Sequence, residues 1–487
     1  MLEVRASILT TATSSLLAAA TTKIQTRSAE LRKELGFRDL ILAQILGVIV
    51  PDFFGTAVKA GPSHVVLWLL AILLFFIPQA LLVAHLNRLM PLEGGLYEWA
   101  RLAFNDGVGF LVAWNLWLFA TLYTAVIGMV ATTFLAYVLG PTAAWLATSA
   151  PFIVFASAFF VIVLVLVTRS GLRVGKWVNN FGSIFILLTL GVLILMPLAA
   201  LWRGTLPEYH PLRLVMPTLS LFSLSVFGKM TFGALCGFEF VAIFAGESRD
   251  PARNYGKSIG VAAPMIALLY ILGTSSILAF VSPDALDVIG PIPQALTRGA
   301  AAFGLAKSIV PVAILLLLVN YLAGFNLNFS ANSRLPMVAG WDHLLPEWFT
   351  RLHPKHKTPV NSILFVGGVA LAAAIVALIG VGADEAYELL LTWSFTFYGL
   401  AYLAMFAIPV VVPKDRGLRP RLWLRVAAAS GFLVTLLFVL LSAFPIIKVA
   451  NPTAYTLKTI VVILGANALG VLLYRMGAHR KSRPTAA

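Results

Sequence analysis

The chain has 487 residues, 60% of them hydrophobic and only 11% charged, with a formal net charge of +15. Soluble globular domains carry roughly 25% charged residues, so the composition excludes one and indicates a polytopic membrane protein. The single cysteine, Cys236, excludes an internal disulfide and any cysteine-based metal site.

Residues 1–35 mix Ala, Ser and Thr with Arg and Lys and lack the uninterrupted apolar core of a cleavable signal. They are expected to form a loose cytoplasmic tail. Apolar runs of the length needed to cross a bilayer, about 20 residues, follow near 37–58, 64–86, 107–139, 151–168, 178–202, 220–246, 258–281, 307–332, 361–380, 386–410, 424–446 and 456–475. The fold class expected is therefore all-α and polytopic, with about twelve transmembrane helices. With the N-terminus inside, 27 of the 35 Lys and Arg fall in cytoplasmic segments, 7 outside, and Lys229 within a span. That bias follows the positive-inside rule, places both termini in the cytoplasm of a plasma (inner) membrane, and accounts for the basic charge without a nucleic-acid partner. Membrane lipids are the partners that basic loops meet.

Two spans are interrupted. The first contains Gly47-Val48-Ile49-Val50-Pro51-Asp52, and the sixth contains Cys236-Gly237-Phe238-Glu239. A carboxylate within a span is costly, and Pro51 removes a backbone donor. Such breaks persist only where they face protein or a watery cavity. Broken helices at matching positions in two halves of five spans point to a transporter's substrate site. Pro51 reads as the first residue of an outer half-helix, with Asp52 in its first turn. Asp52 and Glu239 are then either plain helix caps or a cation site for an ammonium group or a proton, and one carboxylate can serve both ends.

The loops carry a family resemblance. Pro91-Leu92-Glu93-Gly94-Gly95-Leu96-Tyr97, followed by Gly109, Phe110 and Trp114, resembles the P-x-x-GG-x-Y loop and third-helix start of the amino acid-polyamine-organocation permeases. Glu247 to Asn254 resembles the family's E-x-x-(N/D)-P-x-R-N stretch, and Ser333-Arg334 through Pro346 to Thr358-Pro359-Val360 resembles its S-R … L-P … T-P-V loop. The resemblance covers residues 36 to about 410. It implies a five-plus-five inverted repeat with residues 36–202 and 220–410 as the two halves, two additional helices over 411–475, and a cytoplasmic tail at 476–487. It also implies substrate held at the breaks of spans one and six.

One departure stands out. Amino acid carriers of the family usually have Gly-x-Gly at the first break, whose amides receive the substrate carboxylate; Val50-Pro51-Asp52 stands there instead. Proline offers no amide and Asp52 repels an anion, so the local chemistry leans to a cationic or amine substrate. The substrate-binding set expected is Gly47, Val48, Asp52, Gly233, Cys236, Gly237, Glu239, Phe325, Phe119 and Thr124. Phe119, Ala120 and Thr124 share one face of span three. Phe325 aligns with a cation-stacking aromatic of some relatives, and packing explains it equally well. The small Gly233 allows either a roomier pocket or a gate supplied by Phe232. Lys229, ten residues before Glu239, reads as a lysine snorkelling to the outer surface.

Asp52, Glu239 and His85 are the coupling candidates; a histidine at the end of span two, with an ordinary pKa near 6.5, is either a titrating group or simply interfacial. The lysine that some proton-dependent relatives carry midway along span five has no counterpart after Lys176. His343, His353 and His356 lack helical ligand spacing, so no metal is expected. No cofactor is expected either. Without a P-loop, H-E-x-x-H or G-x-S-x-G stretch the chain does not read as an enzyme. The function expected is a secondary active transporter moving amino acids or related organic amines by alternating access, with protons or an exchanged substrate as coupling partner. Alternatives are a polyamine-only carrier and a transport-dead nutrient receptor on the same fold.

Overall fold

The computed structural model describes residues 33–92, 94–304, 306–337, 345–411, 420–447, 449 and 451–481. Most of both tails, part of the loop after span eight, Glu93 and His343 lie outside them. The helices are α1 (Phe37–Val48), α2 (Asp52–Val58), α3 (Gly61–Leu89), α4 (Leu96–Ala103), α5 (Asp106–Leu139), α6 (Ala150–Arg169), α7 (Leu172–Trp202) and α8 (Leu221–Leu235). They continue with α9 (Phe238–Ala242), α10 (Pro251–Leu278), α11 (Pro291–Ala301), α12 (Ile309–Asn332), α13 (Val360–Ala377), α14 (Ala383–Val411), α15 (Leu422–Leu441) and α16 (Pro452–Lys481). Eleven helices are long and apolar enough to cross a membrane, or twelve when α1 and α2, bent by 50°, count as one span. The fold is an all-helical polytopic bundle. Among the described residues the only β-type pairing is an isolated bridge between Leu35 and Ser248.

The central helices are mostly buried in the bundle and the peripheral ones expose leucine-rich faces. The largest interfaces join α7 to α12 and α5 to α14. Small residues set the closest approaches: a Cβ on Gly182 would lie 2.2 Å from that of Ala323, and one on Gly128 would lie 2.0 Å from Ser157 Oγ. Such stripes let helices pack without a hydrophobic driving force between them.

α3 shows how the bundle tolerates a proline in a span. Pro78 cannot donate to the carbonyl four residues earlier, and the preceding turn, Ile72–Phe76, widens to a π-turn. The freed Leu74 carbonyl accepts instead from Ser430 Oγ of α15, at 2.7 Å. A neighbouring helix thereby satisfies a backbone group that lipid cannot.

The basic loops gather at one end. Glu34 and Leu35 donate to the Glu247 carbonyl, Asn87 donates to the Pro251 carbonyl, and Thr358 to that of Arg169. Arg334 and Glu247 form a buried two-bond ion pair at 3.0 and 3.1 Å, with the guanidinium over Phe244. Two motif loops that are distant in sequence are thus fastened to each other.

Candidate functional site

α1 stops at Val48 because Ile49 is extended (ψ 97°) and Pro51 cannot continue the hydrogen-bond ladder. α2 starts at Asp52 with Pro51 as its cap residue, one position later than the sequence suggests. The Val50 amide left over donates to the Tyr270 hydroxyl of α10 at 2.9 Å, and that hydroxyl donates to the Val48 carbonyl at 3.1 Å. One tyrosine therefore bridges the break and occupies the amide it exposes.

α8 stops at Leu235 because Cys236 is extended and Gly237 has φ +123°, a conformation open to glycine. The Gly237 amide donates to the Tyr402 hydroxyl of α14 at 2.8 Å. Gln79 of α3, its amide oriented to suit both partners, donates to the Leu235 carbonyl at 2.8 Å and accepts from the Phe238 amide at 3.2 Å. The two breaks touch: a Cβ on Gly237 would lie 2.7 Å from the Gly47 carbonyl oxygen and 3.5 Å from the Val48 side chain.

Both acids are buried in the first turn of a short outer helix, Asp52 in α2 and Glu239 in α9. Glu239 lies against the amides of Gly237 and its own residue, and accepts hydrogen bonds from Tyr398 and Tyr402 of α14. Asp52 lies against its own amide, and its Oδ1 accepts from Tyr387 of α14. The Tyr321 hydroxyl of α12 lies near the carboxyl, and Asp52 Oδ2 and that hydroxyl are each buried without a hydrogen-bond partner among the described residues. The Tyr123 and Tyr270 hydroxyls complete its electrostatic surroundings. Among the described residues neither acid has a cation among its contacts, which sets them apart from the Lys229–Glu388 and Arg334–Glu247 pairs.

The remaining expected residues divide. Phe119 stacks on Tyr398 with centroids 4.0 Å apart and so backs the Glu239 side. Phe325 packs on Tyr123 at 4.9 Å, one layer behind Asp52. Thr124 turns its hydroxyl to the Ala120 carbonyl of its own helix at 2.7 Å, so it offers no free donor. Cys236 is buried with its Sγ 3.7 Å from the Gly233 carbonyl. Gly233 opens neither a roomier pocket nor a place for Phe232: a Cβ there would fall 2.0 Å from the Phe53 ring, while Phe232 stacks on Phe438 at 4.6 Å. The space above Gly233 is filled by Phe53, the residue after Asp52.

Lys229 corrects the sequence expectation. It does not snorkel but is buried, with Nζ 2.8 Å from Glu388 Oε1 and 3.3 Å from Thr392 Oγ1, both on α14. Tyr455 donates to the same Thr392 hydroxyl at 3.0 Å. Glu388 directly follows Tyr387, the partner of Asp52, so this ion pair is one residue removed from the first break. His85 is not brought to the breaks. Gln79 is the α3 residue there, and His85 lies six positions on, about 9 Å along a helix. It lines a separate basic groove. His353 acts as a loop cap, its Nδ1 accepting from the amides of Lys355 and His356 at 3.2 Å each. Desolvation, helped by the charges of His356, Arg169 and Lys355, holds its pKa below the ordinary value. Among the described residues no cluster of His, Cys, Asp or Glu is placed to hold a metal ion.

Sequence reasoning misses the partners: Gln79, Tyr270, Tyr387, Tyr398, Tyr402, Phe53 and Glu388. One signal exists for part of this set. Tyr387, Tyr398 and Tyr402 recur at helical spacing on one span that also carries an acid, Glu388, and an ionisable residue inside a span marks a functional face.

Comparison with known proteins agrees with this architecture. The family model described as amino acid permease matches residues 36–466. An uncharacterised transporter of Legionella pneumophila is 27% identical over 398 residues, covering 80% of this chain and 83% of its own. A protein of Lactococcus lactis named a probable agmatine/putrescine antiporter is 24% identical over 374 residues, 76% of each chain. The human large neutral amino acids transporter small subunit 2 is 24% identical over 354 residues, 69% of this chain and 63% of its own. With its broken helices, its loop motifs and a family match across most of its length, the chain belongs to the amino acid permease family, within the amino acid-polyamine-organocation permeases.

Proposed function

We propose that this permease is a secondary active transporter for organic amines or amino acids with cationic side chains, working by alternating access about the contact between its two breaks. The observation that carries this reading is the pair of buried carboxylates, Asp52 and Glu239, at corresponding first-turn positions beside touching helix breaks, each held by tyrosine hydroxyls and neither paired with a cation among the described residues. A bound ammonium group would supply the missing counter-charge, through charge-assisted hydrogen bonds typically worth about 1.5 to 3 kcal/mol. A substrate carboxylate would find the Val50 and Gly237 amides occupied by Tyr270 and Tyr402, and no amide at Pro51.

Around this site we assign Gly47, Val48, Cys236 and Gly237 as backbone lining, Phe119 and Phe325 as aromatic backing, and Phe53 beside Gly233 as the outer cover. Asp52 and Glu239 are the coupling groups, binding either a proton or the substrate cation. The two halves are residues 36–202 and 220–410, related as inverted repeats, with 411–475 as two additional helices. Both termini face the cytoplasm across the plasma (inner) membrane, a placement supported by the clustering of basic loops at one end. A polyamine-only carrier is the second reading, favoured by two acids beside one contact point and by the name of the Lactococcus relative. Uptake into proteoliposomes, screened with radiolabelled arginine, agmatine, putrescine, leucine and glutamate, tests the proposal. Preferential arginine or amine uptake is expected, and preferential leucine or glutamate uptake would overturn it.

A further inference from the structure

Away from the breaks, α3 and α10 enclose a groove of about 700 Å³ at the end of the bundle that gathers the basic loops. Its rim is made by His85 and Arg88 of α3 and by Arg253 and Lys257 of α10. Arg88, Arg253 and Lys257 are exposed, and among the described residues none of them forms an ion pair and no acid lines the groove. His85 lines the groove, but its Nε2 is buried away from it, without a hydrogen-bond partner among the described residues. The floor is built of small residues, and a Cβ on Gly256 would meet that of Ala84 at 3.7 Å, so the concavity comes from the close approach of the two helices. A positive-inside bias alone asks only for bases somewhere in a loop. It does not ask for three exposed bases from two helices lining one hollow.

The lipid-facing residues beyond the rim identify the kind of ligand. One turn before His85 the α3 face exposes Leu81, and one and two turns after Lys257 the α10 face exposes Val261 and Met265, at 40%, 45% and 39%. A molecule in the groove therefore meets bases at one end and a bare apolar strip at the other. We propose that this groove binds an anionic phospholipid, its phosphate held by Arg88, Arg253 and Lys257, and an acyl chain lying along Leu81, Val261 and Met265. Guanidinium groups suit phosphate oxygens, which accept two parallel hydrogen bonds. Basic hollows between membrane helices are the sites where such headgroups lodge. A free phosphate would use the rim and leave the apolar strip uncovered. On the orientation proposed above, the lipid belongs to the inner leaflet. The bound lipid would tie the cytoplasmic end of α3 to that of α10, the helices that also carry Gln79 and Tyr270, and so bears on both breaks from outside them.

The test uses delipidated full-length protein in neutral detergent micelles, titrated with phosphatidylglycerol and with phosphatidylcholine and read by native mass spectrometry. Phosphatidylglycerol is expected to bind the wild type well above phosphatidylcholine. The triple variant Arg88→Gln/Arg253→Gln/Lys257→Gln should bind it about 100-fold more weakly, from about 1 kcal/mol per base. A charge-matched control, Arg169→Gln/Arg351→Gln/Lys355→Gln, should keep wild-type affinity. The single variant Lys257→Gln, which preserves the family-like loop, should show about a fivefold loss. Equal losses in the control, unchanged affinity in both groove variants, or displacement of the lipid by equimolar glycerol phosphate would each overturn the assignment; the last would make it a soluble phosphate site. Failure of this test leaves the substrate assignment untouched, because no residue of the breaks is altered.

Discussion

Replacing Lys229 by methionine should be among the most damaging single changes in the bundle. The lysine and glutamate side chains are only 6% and 5% exposed, and the pair joins α8 to α14. Methionine keeps much of the lysine stem's volume but leaves the Glu388 carboxylate facing only Thr392 Oγ1 at 3.5 Å, a poor substitute for an ammonium at 2.8 Å. Removing one partner of a buried pair typically costs about 3–5 kcal/mol, because the remaining charge is stranded. Glu388→Gln strands the lysine instead and should cost about as much, softened by the amide oxygen that can still accept. The double variant Lys229→Met/Glu388→Gln removes both charges and should lie within about 1 kcal/mol of wild type, since buried pairs contribute little net stability over uncharged replacements. Unfolding by SDS in mixed micelles, followed by near-ultraviolet circular dichroism, supplies the four corners of the cycle. Single variants as stable as wild type, or a double variant no better than the worse single, would refute the buried-pair account and return Lys229 to the outer surface.

Other consequences are more local. Gly237→Ala should lower both stability and transport, because φ +123° strains any side chain by roughly 1–2 kcal/mol and the new methyl would meet the Gly47 carbonyl at 2.7 Å; a variant with wild-type unfolding and uptake would show that the breaks do not touch. Phe325→Ala should weaken substrate affinity at near wild-type expression while Phe325→Trp retains activity, and unchanged affinity in the alanine variant would leave Phe325 as packing alone. In a Cys236→Ser background, single cysteines placed at Arg101, Arg253 and Lys357 should react only with reagents admitted to the cytoplasmic side, and outside-only labelling at any of them would overturn the orientation.

The spans and both breaks are legible in the sequence because each rests on a local rule: about twenty apolar residues cross a bilayer, and a proline or glycine within two residues of an acid in such a run marks an interruption, whereas Pro197, Pro264 and Pro409, with no acid beside them, stay inside continuous helices. The contents of the breaks are not legible, because they are closed by residues far away in the chain. Tyr270 lies 220 positions from the Val50 amide it caps, and Tyr402 lies 165 from that of Gly237. A tyrosine in an apolar run carries no mark that its hydroxyl, rather than its ring, is the part in use. Lys229 illustrates the same limit. Its position is equally compatible with snorkelling and burial, and only the presence of Glu388, 159 residues on, decides between them. Gly233 misleads for a steric reason: a missing side chain reads as space, and the neighbouring helix has filled that space with Phe53.

The central claim, that the first break binds a cation through Asp52, is tested most directly by uptake and competition in proteoliposomes from pH 5 to 8, wild type beside Asp52→Asn. A cation held by a carboxylate is released as that carboxylate takes up a proton, so wild-type affinity for arginine or agmatine should fall toward the acid end. The asparagine variant keeps the shape and the Tyr387 contact but not the charge, and should bind these cations at least about tenfold more weakly, with little dependence on pH. An Asp52→Asn protein with wild-type affinity and an unaltered pH profile, or a wild type that prefers glutamate, would contradict the claim and leave Asp52 as a helix-capping acid.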